Sequence, residues 1–535
     1  MNTIRNPILR GFNPDPSILR TGDDYYIATS TFEWFPGVQI HHSRDLIHWR
    51  LLTHPLNRTS QLNMIGNPNS GGVWAPALSH DGERFYLVYT DVKSLAGAYK
   101  DTPNYLVTAD AIEGPWSEPV YLNSSGFDPS LFHDDDGRKW LVNMVWDHRK
   151  GKNPFHGIVI QEYSPGERRL VGPVRRLFGG TQLGCTEGPH LYKKDGWYYL
   201  LTAEGGTGYE HAVTMARSRT LFGPYEVDPR NPVLTSKGKP GTRLQKAGHG
   251  SLVETQTGEW YLAHLCARPV NESLRCSLGR ETALQRCCWT EDGWLRVAAE
   301  DGSPQDEVEA PKLRSHPFPA PPARDDFDGI RLDARYSTLR EPADESWVTL
   351  RERPGFLRMR GRESLNSCHR QSLVARRLES HVAVAETCVA FEPESFQQMA
   401  GLIAYYNTDN HYYLQVTHDE EAGRCLNLIA TLQGRYDEAL DAPVPLGWKE
   451  AVYLRAAFGH GRLQFAYSAD GTDWTDIGPE LDASLLSDES ATVFRDGYFA
   501  SWGFTGTFVG LCVQDLTGRR LPADFDYFTL SFAEG

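Results

Sequence analysis

One phrase of chain is written five times in this sequence, and the repetition limits the available folds more than any single motif does. The copies begin at Asp15 (DPSILRTGDDYYIATST), Trp74 (WAPALSHDGERFYLVYTD), Asp128 (DPSLFHDDDGRKWLVNM), Glu187 (EGPHLYKKDGWYYLLTAE) and His249 (HGSLVETQTGEWYLAHL). Each sets a leading side chain before a small or proline-containing bend, a short apolar stretch and a polar turn. An aromatic follows ten to twelve residues after the leader: Tyr25, Phe85, Trp140, Trp197 or Trp260. An apolar stretch, a tight polar turn and an aromatic-rich stretch spell a β-hairpin. The leaders stand 59, 54, 59 and 62 residues apart, and periods near fifty with several short strands belong to β-propellers. GPWSEPVYL, GPVRRLF, GPYEVDPRNPVL and DGWLRVAA echo an outer strand in the later copies, so each period is predicted to hold about four strands. SRDLIHWRLL in the first copy reads as a helical-looking turn into an outer strand.

In such a fold the innermost strand of every blade lies against the central axis, so equivalent residues converge from far apart in sequence. Asp15, Trp74, Asp128, Glu187 and His249 are therefore expected in one cavity: three carboxylates, an indole and an imidazole. Any one of the acids, taken alone, reads equally well as a turn residue; five unrelated turns would rarely supply this set. After the fifth copy, CSLGRETALQRCCW puts Arg280 and Glu281 on a strand returning toward the axis. An arginine there would offset carboxylate repulsion and donate hydrogen bonds to a polar ligand, with a surface salt bridge as the alternative. Phe32, Glu33, Trp34 and Phe35 form an exposed-looking aromatic cluster, read either as core packing or as the lining of a pocket mouth.

The chain of 535 residues is long enough for two large domains. EAPKLRSHPFPAPPARDDFDG is rich in proline and charge and marks the join. The division reads as a five-bladed propeller over 1–308, a linker over 309–324 and a second β-rich domain over 325–535. In the latter, HYYLQVTHDE, LNLIATLQG, VYLRAAF and GRLQFAYSADGTDW alternate apolar and polar residues, as in an antiparallel β-sandwich of jelly-roll, lectin-like type. It carries no clustered carboxylates, and GYFASWGFTGTFVGL, with Phe504 and Phe508, reads as sandwich core with a tip able to reach the propeller.

A net charge of −15 without blocks of like charge argues against nucleic acid and anionic membrane as partners, since both demand a basic face. No apolar run is long enough for a signal peptide or a membrane helix. Nine cysteines, an odd number without CxxC spacing, read as free thiols in a reducing compartment, so a cytoplasmic location is expected.

The motifs NPDPS, STFEWFPGVQIHHS, GGVWAP, GFDPSLFHDDDG, TEGPHLY, TAEGGT, AGHGSLVET and LGRETALQ resemble glycoside hydrolase family 43, in particular its two-domain β-xylosidase branch. The resemblance covers essentially the whole chain. It implies an inverting, exo-acting β-D-xylosidase that releases xylose from the non-reducing ends of xylo-oligosaccharides, with α-L-arabinofuranosidase side activity. Carried over residue by residue, it implies Asp15 as general base, Glu187 as general acid, and Asp128 as the carboxylate that tunes the acid and orients the sugar. Phe32, Trp74, Thr207, His249 and Arg280 match substrate-pocket positions, and Phe508 matches the sandwich aromatic that closes the pocket in relatives. The loop between His264 and Arg280 is shorter than the branch leads one to expect, which bears on the pocket rim and on oligomer contacts. A homo-oligomer, dimer or tetramer, is expected.

The chemistry also stands on the residues. Inverting hydrolysis of a glycoside needs a protonated carboxyl on one side of the bond and a carboxylate activating water on the other, roughly 6.5–9.5 Å apart. Acids on different blades across an axis can provide that gap. No cofactor is required, although His249 could hold a structural calcium ion through water. Two rivals differ in what they need. Retaining five-bladed fructosidases prefer N-D-P-N and E-C patterns, where this chain has Asn13-Pro14-Asp15-Pro16-Ser17 and Glu187-Gly188. A non-catalytic propeller has no use for three axial acids.

Overall fold

In the computed structural model, which describes residues 2–448, 450–495 and 498–533, the five copies form five antiparallel sheets. The first runs Ser17–Thr21, Asp24–Thr29, Gln39–Ser43 and Arg50–Thr53 from the inside outward. The innermost strands, Ser17–Thr21, Gly72–His80, Ser130–His133, Glu187–Lys194 and Gln245–Glu254, touch one another in sequence order, the last against the first. This is a closed five-bladed β-propeller. The repeated aromatics stand near the start of the second strand of each blade. Tyr25, Phe85 and Trp140 are buried in the layers between blades, while Trp197 and Trp260 cover the edge of one such layer.

Each echo becomes outer-strand structure: Val120–Asn123, Arg169–Phe178, Glu226–Val227 with Leu234–Thr235, and Leu295–Val297. The SRDLIHWRLL segment contains no helix. The Asp45 carboxylate accepts the N–H groups of Ile47 (3.0 Å) and His48 (2.8 Å), satisfying the backbone in a turn instead. The ring closes without a covalent staple, all nine cysteines being free. Thr3–Arg5 pairs with Glu307–Glu309, and Asn6 Nδ2 donates to the carbonyl of Leu284 at 2.7 Å, tying the N-terminal segment to the fifth blade.

No strand lies between Glu307–Glu309 and Arg324–Asp325. This stretch returns over the first blade, where Phe318 packs on His42 and under the Arg50 guanidinium, and the His316 N–H donates to Asp45. Beyond it, two antiparallel sheets of eight and nine strands face each other across a core that includes Leu402, Leu414, Leu454, Phe465, Leu511 and Phe525. The nine-stranded sheet ends on a strand from the other domain. Trp34–Phe35, from the first propeller repeat, pairs with Ser337–Leu339 in the register Thr338 to Phe35 and Leu339 to Trp34. Phe32, Glu33, Trp34 and Phe35 are all buried, so the core-packing reading holds and the exposed appearance does not: Trp34 stacks on Phe508 and Phe32 meets Phe504 of the sandwich, while Phe35 packs among propeller side chains. The α-helix among the described residues is Asp488–Ala491, and no helix is long and apolar enough to cross a membrane.

Candidate active site

The axis-facing side chains are aimed by a recurring kink. Asp15, Asp128 and His249 adopt left-handed backbone at φ 56°, 55° and 48°, and the residues after Trp74 and Glu187, Ala75 and Gly188, do so at 33° and 55°. The pairing register shifts at the same places in the second, fourth and fifth blades. A bulge at the head of an inner strand turns one side chain out of the pleat and into the central channel. The cost of such backbone is borne where a fixed direction matters. Gly188 has a second reason to be glycine. A Cβ on it would stand 3.0 Å from the His249 ring, so the acid's blade and the histidine's blade meet at this residue.

These kinks open onto one cavity of about 1140 Å³, lined by Asp15, Asp128, Glu187, Phe32, Trp74, Thr207, His249 and Arg280 among others. Eight of the nine residues singled out from the sequence are therefore together. Phe508 is not. It is fully buried, stacked on Trp34 with ring centroids 3.7 Å apart and edge-on to Phe12, in the seam between the domains. The sandwich rings in the cavity are Phe494, Phe499, Trp502 and Phe504, of which Phe504 meets Phe32 at 5.9 Å and Trp74 at 5.5 Å. The reason lies in local backbone: Phe508 begins the buried strand Phe508–Asp515, whereas Phe504 sits on the loop before it.

The three carboxyls are held in different electrostatic states. Burial pushes Asp15 upward, but the Arg280 guanidinium, His249, the Ser30 hydroxyl and His211 outweigh it and leave it below the usual carboxylate range. Arg280 Nη1 donates to Asp15 Oδ1 (3.2 Å) and to Thr207 Oγ1 (2.9 Å), and Ser30 Oγ donates to Asp15 Oδ2 (2.7 Å). Glu187 is driven well above its ordinary value, first by burial, then by the charges of Asp128 and Asp15. Asp128 is also raised, by burial and by Asp15. The two carboxyls compete for one proton. The Gly188 N–H donated to Asp128 Oδ2 at 3.0 Å favours ionised Asp128, so the proton belongs on Glu187. Burial lowers His249 from the usual imidazole value, against the pull of Asp15.

The surroundings of His249 do not suit calcium, which takes roughly six to eight oxygen ligands. Its Nδ1 stands 3.5 Å from Asp15 Oδ1, and the Arg280 cation occupies that same oxygen. Among the described residues no group of three or more His, Cys, Asp or Glu side chains is arranged to hold a metal ion.

Sequence models match both domains. Glycosyl hydrolases family 43 matches residues 4–295, and the β-xylosidase C-terminal concanavalin A-like domain matches residues 324–531. The chain belongs to glycosyl hydrolases family 43. This family 43 chain is 52% identical to the xylan 1,3-β-xylosidase of a Vibrio species, over 98% of each protein. It is 53% identical to xylosidase/arabinosidase 43B of Humicola insolens, over 99% of this chain and 97% of that protein. The crystal structure of a xylan β-1,4-xylosidase from Bacillus halodurans C-125 matches with a TM-score of 0.96 and 60% identity, over 99% of this chain and 100% of that one.

Several site residues of the family 43 chain carry no repeat signature. Ser30 and His211 bear on Asp15 from outside the five leading positions. Lys246 lines the cavity and is ion-paired across the domain seam with Asp488 (3.1 Å) and Glu489 (2.6 Å). The short loop before Arg280 leans on the sandwich as well: Cys276 N–H donates to Glu489, and Arg275 to Ser484. Phe504, which also lies outside the repeat, did have a sequence signal. Gly503 and Gly506 flank it, marking a loop tip, whereas Phe508 heads the continuous apolar run FVGLCV.

Proposed function

We propose that this family 43 chain is an inverting, exo-acting β-D-xylosidase that releases xylose from the non-reducing ends of xylo-oligosaccharides, with α-L-arabinofuranosidase side activity. The observation that carries the reading is the opposite electrostatic setting of Asp15 and Glu187 in one cavity, one carboxyl held down and one pushed up. That is the division of labour glycoside hydrolysis needs. The names of the relatives, with xylosidase or xylosidase/arabinosidase in each, support the substrate class.

In this reading ionised Asp15 takes a proton from water, whose oxygen attacks the anomeric carbon. Glu187 gives its proton to the departing glycosidic oxygen as the bond to it breaks. The sugar leaves as α-xylose, Asp15 ends protonated and Glu187 ionised, and solvent exchange restores both. Asp128 keeps the proton on Glu187 and orients the sugar. Phe32, Trp74, Thr207, His249 and Arg280 hold the terminal xylose, and Phe504 takes the roof position first assigned to Phe508. A cavity roofed by the sandwich admits a chain end, which favours exo action. No step runs through calcium. The free cysteines suit a cytoplasmic enzyme, the acidic surface argues against nucleic-acid partners, and a dimer or tetramer is the expected assembly.

Proton NMR during the first turnovers on an aryl β-xyloside, whose leaving group has no anomeric centre, tests the mechanism. α-Xylose is expected first; initial β-xylose would remove the inverting assignment and the base role of Asp15.

A further inference from the structure

Ser70 lies outside the cavity lining, is 1% exposed, and holds left-handed backbone at φ 60°. All three of its polar groups are used, and each reaches a different part of the site. Its hydroxyl donates to the carbonyl of Trp502 (2.8 Å) and accepts the N–H of Phe504 (3.1 Å), both on the sandwich. Its carbonyl accepts the indole N–H of Trp74 (2.8 Å), and its own N–H donates to the buried carboxylate of Glu33 (3.0 Å), next to Phe32. The far side of Phe504 is anchored too, since its carbonyl accepts Arg280 Nη2 at 3.0 Å.

The peptide units around Phe504 therefore form a strut across the mouth of the propeller, fastened at one end to Ser70 and at the other to Arg280. The fit is close. A Cβ on Gly279 would come within 2.1 Å of the Thr505 carbonyl oxygen, and the Thr507 N–H donates to the Ser277 carbonyl at 2.9 Å. Arg280 is the cation on Asp15.

We propose that Ser70 is a positioning residue for hydrolysis: by fixing the Phe504 strut, it sets both the roof of the sugar pocket and the hold of Arg280 on Asp15. The proposal rests on the base role of Asp15 given above. Five charged or titratable groups face that carboxyl from the surrounding blades: Arg280, His249, His211, Asp128 and Glu187. Of these, Arg280 is the one bonded to the strut, and it is the largest influence holding Asp15 down. A slackened strut loosens Arg280, so the pKa of Asp15, to which Arg280 is bonded, rises most; Glu187, on which Arg280 acts less than burial, Asp128 and Asp15 do, rises less.

The test is the pH profile of kcat/KM on xylobiose for the full chain and for Ser70→Gly. Glycine accepts the positive φ and deletes only the hydroxymethyl group, so it is the variant least disturbing to the backbone; Ser70→Ala is the second variant should the first not fold. The expected result is a several-fold fall in kcat/KM, a raised KM, and an acid limb moved upward by about half a pH unit or more, further than the basic limb moves. An unmoved acid limb in a folded variant overturns the proposal, whatever happens to KM or thermal stability. Wild-type chain that releases no xylose would instead overturn the functional reading, and this inference with it.

Discussion

The pair Asp128 and Glu187 shows how a single charge sets a working pH. In the proposed mechanism Glu187 acts while protonated, so kcat/KM is expected to fall as pH rises through its raised pKa. Asp128→Asn keeps the shape and removes the charge that, after burial, does most to raise Glu187. The Glu187 pKa then drops, and the basic limb is expected to move to lower pH. A like charge close to a buried carboxyl shifts it by roughly 1–3 pH units, which bounds the shift. A basic limb that stays in place would leave Asp128 with an orienting role alone. At this scale the sequence was legible where repetition had marked it. Asp15, Trp74, Asp128, Glu187 and His249 could be found because they occupy one position in five copies. Ser30, Ser70 and His211 occupy none, and their importance comes from contacts between blades or between domains that local pattern does not encode.

At the scale of elements, the loop before Phe508–Asp515 and that strand itself divide two phenylalanines only four residues apart into different tasks. Phe504→Ala is expected to raise KM for xylobiose roughly tenfold, the loss of a partly buried ring's contact with the ligand, with little change in apparent Tm. Phe508→Ala should do the reverse, costing roughly 3–5 kcal/mol of stability through the void left against Trp34 and Phe12. Thermal melts and initial rates on the two variants check both halves. The strands of the blades were readable because each hairpin is local and is repeated. The strand Trp34–Phe35 was not, because its partner Ser337–Leu339 lies some three hundred residues on, and nothing in a two-residue strand announces so distant a pairing. Phe32 and Trp34 read as exposed for a related reason: their cover, Phe504 and Phe508, comes from the other half of the chain.

For the molecule as a whole, the seam between propeller and sandwich is where the site is assembled. Lys246, on an inner strand of the fifth blade, is buried against Asp488 and Glu489, and Asp488 also accepts the Tyr406 hydroxyl at 2.8 Å. Lys246→Met leaves a buried carboxylate without its cation and is expected to cost about 3 kcal/mol or more, read as a lowered apparent Tm. An unchanged melt would mean that the seam is held by its apolar contacts alone. The strand Trp34–Phe35 carries this integration furthest. A family of two-domain enzymes invites grafting, in which one relative's second domain is exchanged for another's at the proline-rich join. In this chain that cut would leave the outermost strand of the sandwich behind in the propeller. A transplanted sandwich would arrive with Ser337–Leu339 as a raw edge, open to pairing with any passing chain. The unit that can be inherited or swapped intact is thus larger than either domain, and a workable chimera would have to carry the loop around Trp34 along with the domain it completes.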